Sequence, residues 1–185
     1  FGPMLVNIAK KILPDTQVKH VMDADQWFEG LMASKHHLGV STIAISQIHE
    51  EIRDMLAMAA ANVSDSFKAM EQGPGENGIQ EITDREEEID LSNVRLSKKI
   101  SKVLVLDQTP QDIEALNKMY SILEILSELG DHAMNLAEYA QTIQEKNLNF
   151  SDYAKNEFKV MDESCAEGME LLRMAAAGDS GFTLE

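Results

Sequence analysis

The chain of 185 residues carries 16 basic and 32 acidic side chains, a formal net charge of −16, with 44 % hydrophobic residues and one cysteine. This length suits one domain with a sizeable core, and the charge argues against binding nucleic acid or anionic lipid, because both require a basic protein surface. The lone Cys165 cannot form an internal disulfide, which favours a reducing compartment.

The charge is unevenly distributed along the chain, and its distribution predicts a boundary near residue 40. Residues 1–40 hold four acidic and four basic side chains, whereas residues 41–185 hold 28 acidic and 12 basic ones, which accounts for the whole excess. We therefore predict a connector over 1–40, a body over 41–177, and a tail over 178–185. The last two residues of the tail, Leu184-Glu185, resemble a cloning remnant.

The chain begins with an apolar run from Phe1 to Leu13, which is interrupted by Lys10 and Lys11 and followed by Pro14. A membrane-spanning helix needs about 20 apolar residues, so this run is too short to cross a bilayer by itself. It also lacks the positively charged N-terminal region with which a signal peptide begins. The residues alone leave two interpretations open: a short helix packed in the core, or the trailing end of a membrane span.

Apolar residues recur every three or four positions from Ser41 onward, which predicts a long amphipathic helix. Its stripe comprises Ile45, Ile48, Ile52, Met55, Ala59, Val63, Phe67 and Met70. The glycine- and proline-containing segment from Gln72 to Gly78 predicts a break. Thr83 with Glu86 resembles a capping box near the start of a second helix. The apolar face of that helix comprises Ile82, Ile89, Leu96, Ile100 and Val103.

Thr109 as N-cap, Pro110 in the first turn and Asp112 just after predict the start of a third helix. Its apolar face runs for about nine turns. That face comprises Ile113, Leu116, Tyr120, Leu123, Leu126, Leu129, Ala133, Leu136, Ala140 and Ile143. Ser151 is a good N-cap for a fourth helix. The apolar residues of the fourth helix are Ala154, Phe158, Met161, Cys165, Met169, Leu172 and Ala176. No stretch alternates with a period of two, so we predict an all-α fold, an antiparallel bundle of long helices.

Acidic side chains form a pair on the second helix and a stripe on the third. Glu86 and Asp90 are four residues apart, so both project from one face of the second helix. The stripe on the third helix comprises Glu124, Glu128, Asp131, Asn135 and Glu138. Facing stripes of this kind can form an oxygen-rich metal site, and they can equally be a solvated surface that keeps a bundle soluble. The sequence pairs no nucleophile with a base in a known arrangement, so we do not expect an enzyme.

The third helix contains a segment that resembles the signature of PhoU-type phosphate-regulation domains: Leu129-Gly130-Asp131-His132-Ala133-Met134-Asn135-Leu136-Ala137-Glu138. A segment of the second helix is similar to the acidic motif of that family: Glu86-Glu87-Glu88-Ile89-Asp90. The resemblance covers roughly residues 38–177. It implies one three-helix repeat plus a fourth helix, and a regulatory, non-enzymatic role.

PhoU-type motifs bind multinuclear iron or zinc, so the resemblance also implies a metal site for iron, zinc or another divalent cation. The implied ligands are Glu86, Asp90 and Asp131, with Glu124, Glu128 and Asn135 as helpers. The chain departs from the family at Ser127, which stands where the motif has its first acid, and at Glu128, which stands where it has arginine. A hydroxyl is a poorer ligand than a carboxylate for a hard cation.

The opening residues, Phe1 to Lys11, resemble the end of the last membrane span in bacterial sodium-dependent phosphate cotransporters, which carry a PhoU-like cytoplasmic tail. This resemblance implies that residues 1–40 are a membrane-exit segment and connector. It also implies a cytoplasmic regulatory domain held at the inner membrane by a transport half of the same polypeptide, which is its partner. The phosphate and sodium sites then lie in the transport half. Two alternatives stay open: a free-standing PhoU-like metal-binding adaptor in phosphate signalling, and a structural bundle that forms homo-oligomers.

Overall fold

The computed structural model describes residues 15–33, 39–75, 78–106 and 108–176, and these residues form five α-helices. The helices are α1 (Asp15–Ala33), α2 (Val40–Gln72), α3 (Gly78–Val103), α4 (Pro110–Glu145) and α5 (Asp152–Ala176). None of the described residues lies in a β-strand. The predicted all-α fold is therefore confirmed, and α2 to α5 are the helices that the sequence predicts.

Helix α1 lies inside the range 1–40 that we predict as a connector, so that range contains a helix of 19 residues. The apolar run Phe1–Leu13 and the tail 178–185 lie outside the described residues. Of the helices in the described ranges, none is both long enough and apolar enough to cross a membrane.

Two helices begin at the N-caps that the sequence predicts. At the start of α4 the capping is reciprocal. The Thr109 hydroxyl accepts a hydrogen bond from the backbone N–H of Asp112 at 3.2 Å, and the Asp112 carboxylate accepts one from the backbone N–H of Thr109 at 3.3 Å. At the start of α5 the Ser151 hydroxyl accepts a hydrogen bond from the backbone N–H of Ala154 at 3.2 Å. Both predicted starts are confirmed.

The predicted break after α2 is confirmed, whereas the predicted capping box is wrong. Gly73 and Gly75 have φ angles of 86° and 65°, in the left-handed region that glycine adopts without strain. Helix α3 begins at Gly78, so Thr83 lies inside it rather than at its start. The Thr83 hydroxyl donates a hydrogen bond to the carbonyl oxygen of Ile79 at 2.8 Å, as threonines within helices commonly do.

Contacts divide the described residues into two compact units, and α2, α3 and α4 contribute to both. The first unit comprises residues 15–52 and 90–124, and the second comprises 53–89 and 125–176. The buried apolar residues of the first unit are Ala24, Val40, Ala44, Ile48, Ile52, Leu96, Ile100, Val103, Leu116, Met119 and Leu123. Those of the second are Met55, Leu56, Ala59, Val63, Phe67, Ala69, Met70, Ile82, Ile89, Leu126, Ala133, Ala137 and Ala140.

The predicted apolar faces of α2 and α3 are confirmed, and that of α4 needs a correction. All the residues predicted for α3 are fully buried, and on α2 only Ile45 of the predicted face is half-buried. On α4, Ile113 and Tyr120 are each 41 % exposed, while Met119 is buried. Tyr120 lies about 100° around the helix from Met119, because an α-helix has 3.6 residues per turn.

Helix α5 packs its predicted apolar face against α2 and α4 within the second unit, although none of its side chains is fully buried. Cys165 and Met169 contact a cluster formed by Val63, Phe67 and Ala133. Phe158 contacts a second cluster formed by Ala69, Met70 and Ala140. Met161 and Leu172, which the sequence places on this face, are 53 % and 43 % exposed, so the prediction is wrong for these two residues and the rest of the face is half-buried.

Candidate functional site

The signature segment, residues 129–138, lies within α4 in the second unit and contains a buried glycine at position 130. Glycine inside a helix is less favourable than alanine by about 1 kcal/mol. The local reason for Gly130 is the Glu86 side chain of α3. A Cβ at position 130 would stand 2.9 Å from the carboxyl carbon of Glu86, closer than side chains pack. Gly130 therefore allows the carboxylate to approach the backbone of the signature helix.

Glu86 is the buried carboxylate among the described residues, with 9 % of its surface exposed. One turn earlier on α3, the Thr83 hydroxyl lies 3.6 Å from the Met134 sulfur of the signature segment. These two contacts join α3 to the signature segment on the inner side of both helices. Burying a carboxylate is costly, so its location is determined closely by the groups around it.

The other predicted ligands are exposed at the surface. Asp131 directly follows Gly130 in the chain but lies on the exposed side of α4, as do Glu128 and Asn135 of the same unit. Asp90 and Glu124 are also exposed, and both belong to the first unit. Glu86 thus differs from every other member of the predicted acidic set in its burial.

Within the described ranges, no group of three or more histidine, cysteine, aspartate or glutamate side chains is arranged to hold a metal ion. Ser127, which stands at the position of the expected first acid, is half-buried. Metal binding by Glu86, Asp90 and Asp131 stays a prediction from the family resemblance. The feature that the structure adds is the close packing of the Glu86 carboxylate on Gly130.

A polar network between α2 and α3, which the sequence analysis missed, adjoins this packing in the second unit. Asn62 is fully buried. Its side-chain N–H donates to the carbonyl oxygen of Ile82 at 3.1 Å, and its amide oxygen accepts from Nε of Arg85 at 2.7 Å. Arg85 also forms an ion pair with Asp65. The sequence signal was present: Asn62 adjoins Val63 in the apolar stripe of α2, and a buried polar side chain is normally hydrogen-bonded.

The exposed acids of the second unit give the outer side of α4 a negative surface. Glu128, Asp131 and Glu138 are all exposed and recur at three- and seven-residue intervals on this helix. Because their helix is packed through Gly130 and Met134 on its inner side, these carboxylates project from a defined backbone. Such a surface attracts basic groups and does not require a metal.

Comparison with protein families shows that residues 52–140 match the family described as the PhoU domain. The matched range contains all of α3 and most of α4, including Glu86 and the signature segment. Comparisons with curated proteins and with solved structures found no match. The resemblance to PhoU-type domains is thus confirmed for the part of the chain between residues 52 and 140, which is similar to a PhoU domain.

Proposed function

We propose that the chain is a non-enzymatic regulatory domain in phosphate homeostasis, and that it belongs to the cytoplasmic side of a sodium-dependent phosphate cotransporter in the inner membrane. The observation that carries the proposal is the PhoU match over residues 52–140, which contains the signature segment and the carboxylate packed on it. The resemblance of residues 1–11 to the end of a cotransporter membrane span supports the link to a transporter.

The proposed mechanism is regulation by protein contact. A domain shifts an equilibrium between two transporter conformations only if it binds one of them more tightly than the other. The formal charge of −16 makes anionic lipid an unfavourable surface for this domain. Basic cytoplasmic loops of the transport half are therefore the proposed partner, and the exposed acids of α4 are the proposed contact.

The main experiment uses the complete reading frame expressed in cells and measures sodium-dependent uptake of radiolabelled phosphate into membrane vesicles. Deletion of residues 41–177 should change the uptake rate, or its dependence on internal phosphate, by at least about fivefold, the lower end of typical coupling between sites. The amount of protein in the membrane is measured in parallel. A complete reading frame without membrane spans would refute the transporter assignment, and uptake unchanged by the deletion would refute the regulatory role.

A point-variant experiment tests the proposed contact. The triple variant Glu128→Gln, Asp131→Asn, Glu138→Gln removes three exposed charges from α4, and it should lose most of the regulatory effect. A matched triple variant on α5 removes the same charge elsewhere: Glu157→Gln, Glu163→Gln, Glu167→Gln. All six side chains are exposed, so both variants should fold. Equal effects of the two triples would show that only total charge matters and would exclude α4 as the contact.

The predicted metal site is tested separately by elemental analysis of the purified chain. If Glu86, Asp90 and Asp131 bind iron or zinc, the protein retains a stoichiometric ion, and Asp131→Ala reduces it. Substoichiometric metal that is unchanged in Asp131→Ala would contradict the prediction. A retained ion together with a reading frame lacking membrane spans would favour the free-standing metal-binding adaptor instead.

A further inference from the structure

A cleft lies within the second unit, where α2 ends, α4 ends and α5 begins. Its volume is about 290 Å³, near the lower end of the range for small-molecule sites. The apolar part of its lining is formed by Met70 and Ala140, which are buried, and by the half-buried Phe150. The lining also includes four residues with side-chain amides: Gln72, Gln144, Asn147 and Asn149. An apolar surface combined with a few polar groups is the usual composition of a ligand site.

Asn147 ends α4 in a conformation for which glycine is the commonest residue. Its φ angle is 50°, and its backbone N–H donates to the carbonyl oxygen of Gln144 at 3.1 Å. The next N–H, that of Leu148, donates to the carbonyl oxygen of Ile143 at 3.0 Å, which completes a Schellman motif. Asparagine tolerates this left-handed conformation and adds a side-chain amide, which lines the cleft. The motif thus explains the backbone at position 147 and does not by itself require asparagine.

Two of the groups that line the cleft have defined positions. The Gln144 amide nitrogen would lie 3.6 Å from a Cβ at Gly73, so this side chain of α4 rests near the backbone at the end of α2. The centre of the Phe150 ring lies 5.0 Å from that of Phe158, with an angle of 63° between the rings, which is an edge-to-face contact. An amide and an aromatic ring are therefore both held at this cleft by packing against the fold.

The charges of the cleft argue against an anion as its ligand. Among the described lining residues, Glu71 and Lys155 carry opposite charges, so the lining is nearly neutral. The C-terminal ends of α2 and α4 also lie here, and the C-terminal end of a helix dipole is negative. Side-chain amides carry no charge and provide both donors and acceptors. The lining therefore matches an uncharged molecule with donors and acceptors along one edge, and it matches inorganic phosphate poorly.

We propose that the cleft binds an uncharged purine, as the free base or as its nucleoside. Asparagine and glutamine amides pair with the adenine edge through two hydrogen bonds, and bases stack on aromatic side chains. Gln144 and Asn147 supply amides for the edge of the base, and Phe150 supplies the ring. The site goes beyond the proposed function, because it requires neither a transporter nor the exposed acids of α4.

The first experiment titrates the purified whole chain with adenosine, adenine, glucose and inorganic phosphate, and it follows backbone amide shifts by NMR. We expect adenosine and adenine to give saturable shifts in residues 144–150, and glucose and phosphate to give none there. Saturation by adenosine and not by adenine would identify the nucleoside as the ligand. The absence of saturable shifts with both purines would overturn the proposal, and so would tighter binding of glucose or phosphate at these residues.

The second experiment measures the dissociation constant of adenosine for variants of the lining amides. Asn147→Gly keeps the left-handed conformation, because glycine is preferred there, so this variant should fold. Asn147→Gly and Gln144→Leu should each raise the dissociation constant at least about fivefold, the lower end of what a two-bond amide–base pair contributes.

The matched control is Gln141→Leu, which changes an exposed glutamine of α4 that does not line the cleft and should leave the dissociation constant unchanged. Circular dichroism verifies that all three variants are folded. An unchanged dissociation constant in folded Asn147→Gly would overturn the assignment of the site, as would an equal rise in Gln141→Leu.

Discussion

The substitution Gly130→Ala tests whether the signature helix is fitted to the Glu86 carboxylate. Two contributions to the free energy of unfolding oppose each other. Alanine is favoured over glycine inside a helix by about 1 kcal/mol. The new Cβ, however, would stand 2.9 Å from the carboxyl carbon of Glu86, so this end of a flexible side chain has to move. Because Glu86 is buried, its movement is restricted, and overpacking a buried site costs about 1–3 kcal/mol. We therefore expect Gly130→Ala to lower the free energy of unfolding by about 0–2 kcal/mol.

Gly168→Ala on α5 is the matched control, because a Cβ at that position meets no atom within 4 Å apart from its chain neighbours and the backbone of its own helix. This substitution should raise the free energy of unfolding by about 0.5–1 kcal/mol. Urea denaturation followed by circular dichroism measures both variants, and the midpoint is compared at constant slope. Both substitutions gain the same helix propensity. The difference between their changes in free energy of unfolding therefore measures the contact of position 130 with Glu86.

A double-mutant cycle with Glu86→Ala completes the test. Without the carboxylate, the new Cβ at position 130 has room, so Gly130→Ala should then stabilise the protein by about 1 kcal/mol. The expected coupling energy between the two positions is about 1–3 kcal/mol. A coupling energy below about 0.5 kcal/mol, the value typical of independent sites, would refute the fitted packing. Identical behaviour of Gly130→Ala and Gly168→Ala would refute it as well.

Two further predictions concern a buried amide and an exposed ion pair. Asn62→Ala should lower the free energy of unfolding by about 1–3 kcal/mol, because Nε of Arg85 and the carbonyl oxygen of Ile82 lose a buried partner. Chemical denaturation measures this change, and an unchanged denaturation midpoint would contradict it. A hydrogen bond and charge attraction from Lys118 lower the pKa of Glu114 from its usual value of 4.5. The pair therefore contributes to the free energy of unfolding at neutral pH, and this contribution is lost as the pH falls through the folded-state pKa. Lys118→Ala should raise the pKa of Glu114 toward 4.5, which NMR titration of the carboxyl carbon measures; an unshifted titration contradicts it.

The sequence by itself determined helices α2 to α5 and where most of these four begin. The apolar stripes of α2 and α3 appear in the structure as buried faces, and Thr109 and Ser151 cap α4 and α5. These features depend on residues within about four positions of one another, so a local pattern contains the necessary information. The capping box at Thr83 failed because a threonine hydroxyl can bond a carbonyl of the preceding turn as well as cap a helix.

Only the tertiary structure decided which members of the acidic set are buried. Glu86 and Asp131 belong to one predicted metal site, yet Glu86 is packed on Gly130 and Asp131 is exposed. Helical periodicity gives the angle of a side chain around its own helix, and it does not say which neighbouring helix covers that angle. The packing of α1 against α3 was likewise decided only by the tertiary structure. Lys99 and Lys102 are separated from Trp27 by most of two helices in sequence, so their contacts with α1 follow from chain folding and from no local pattern.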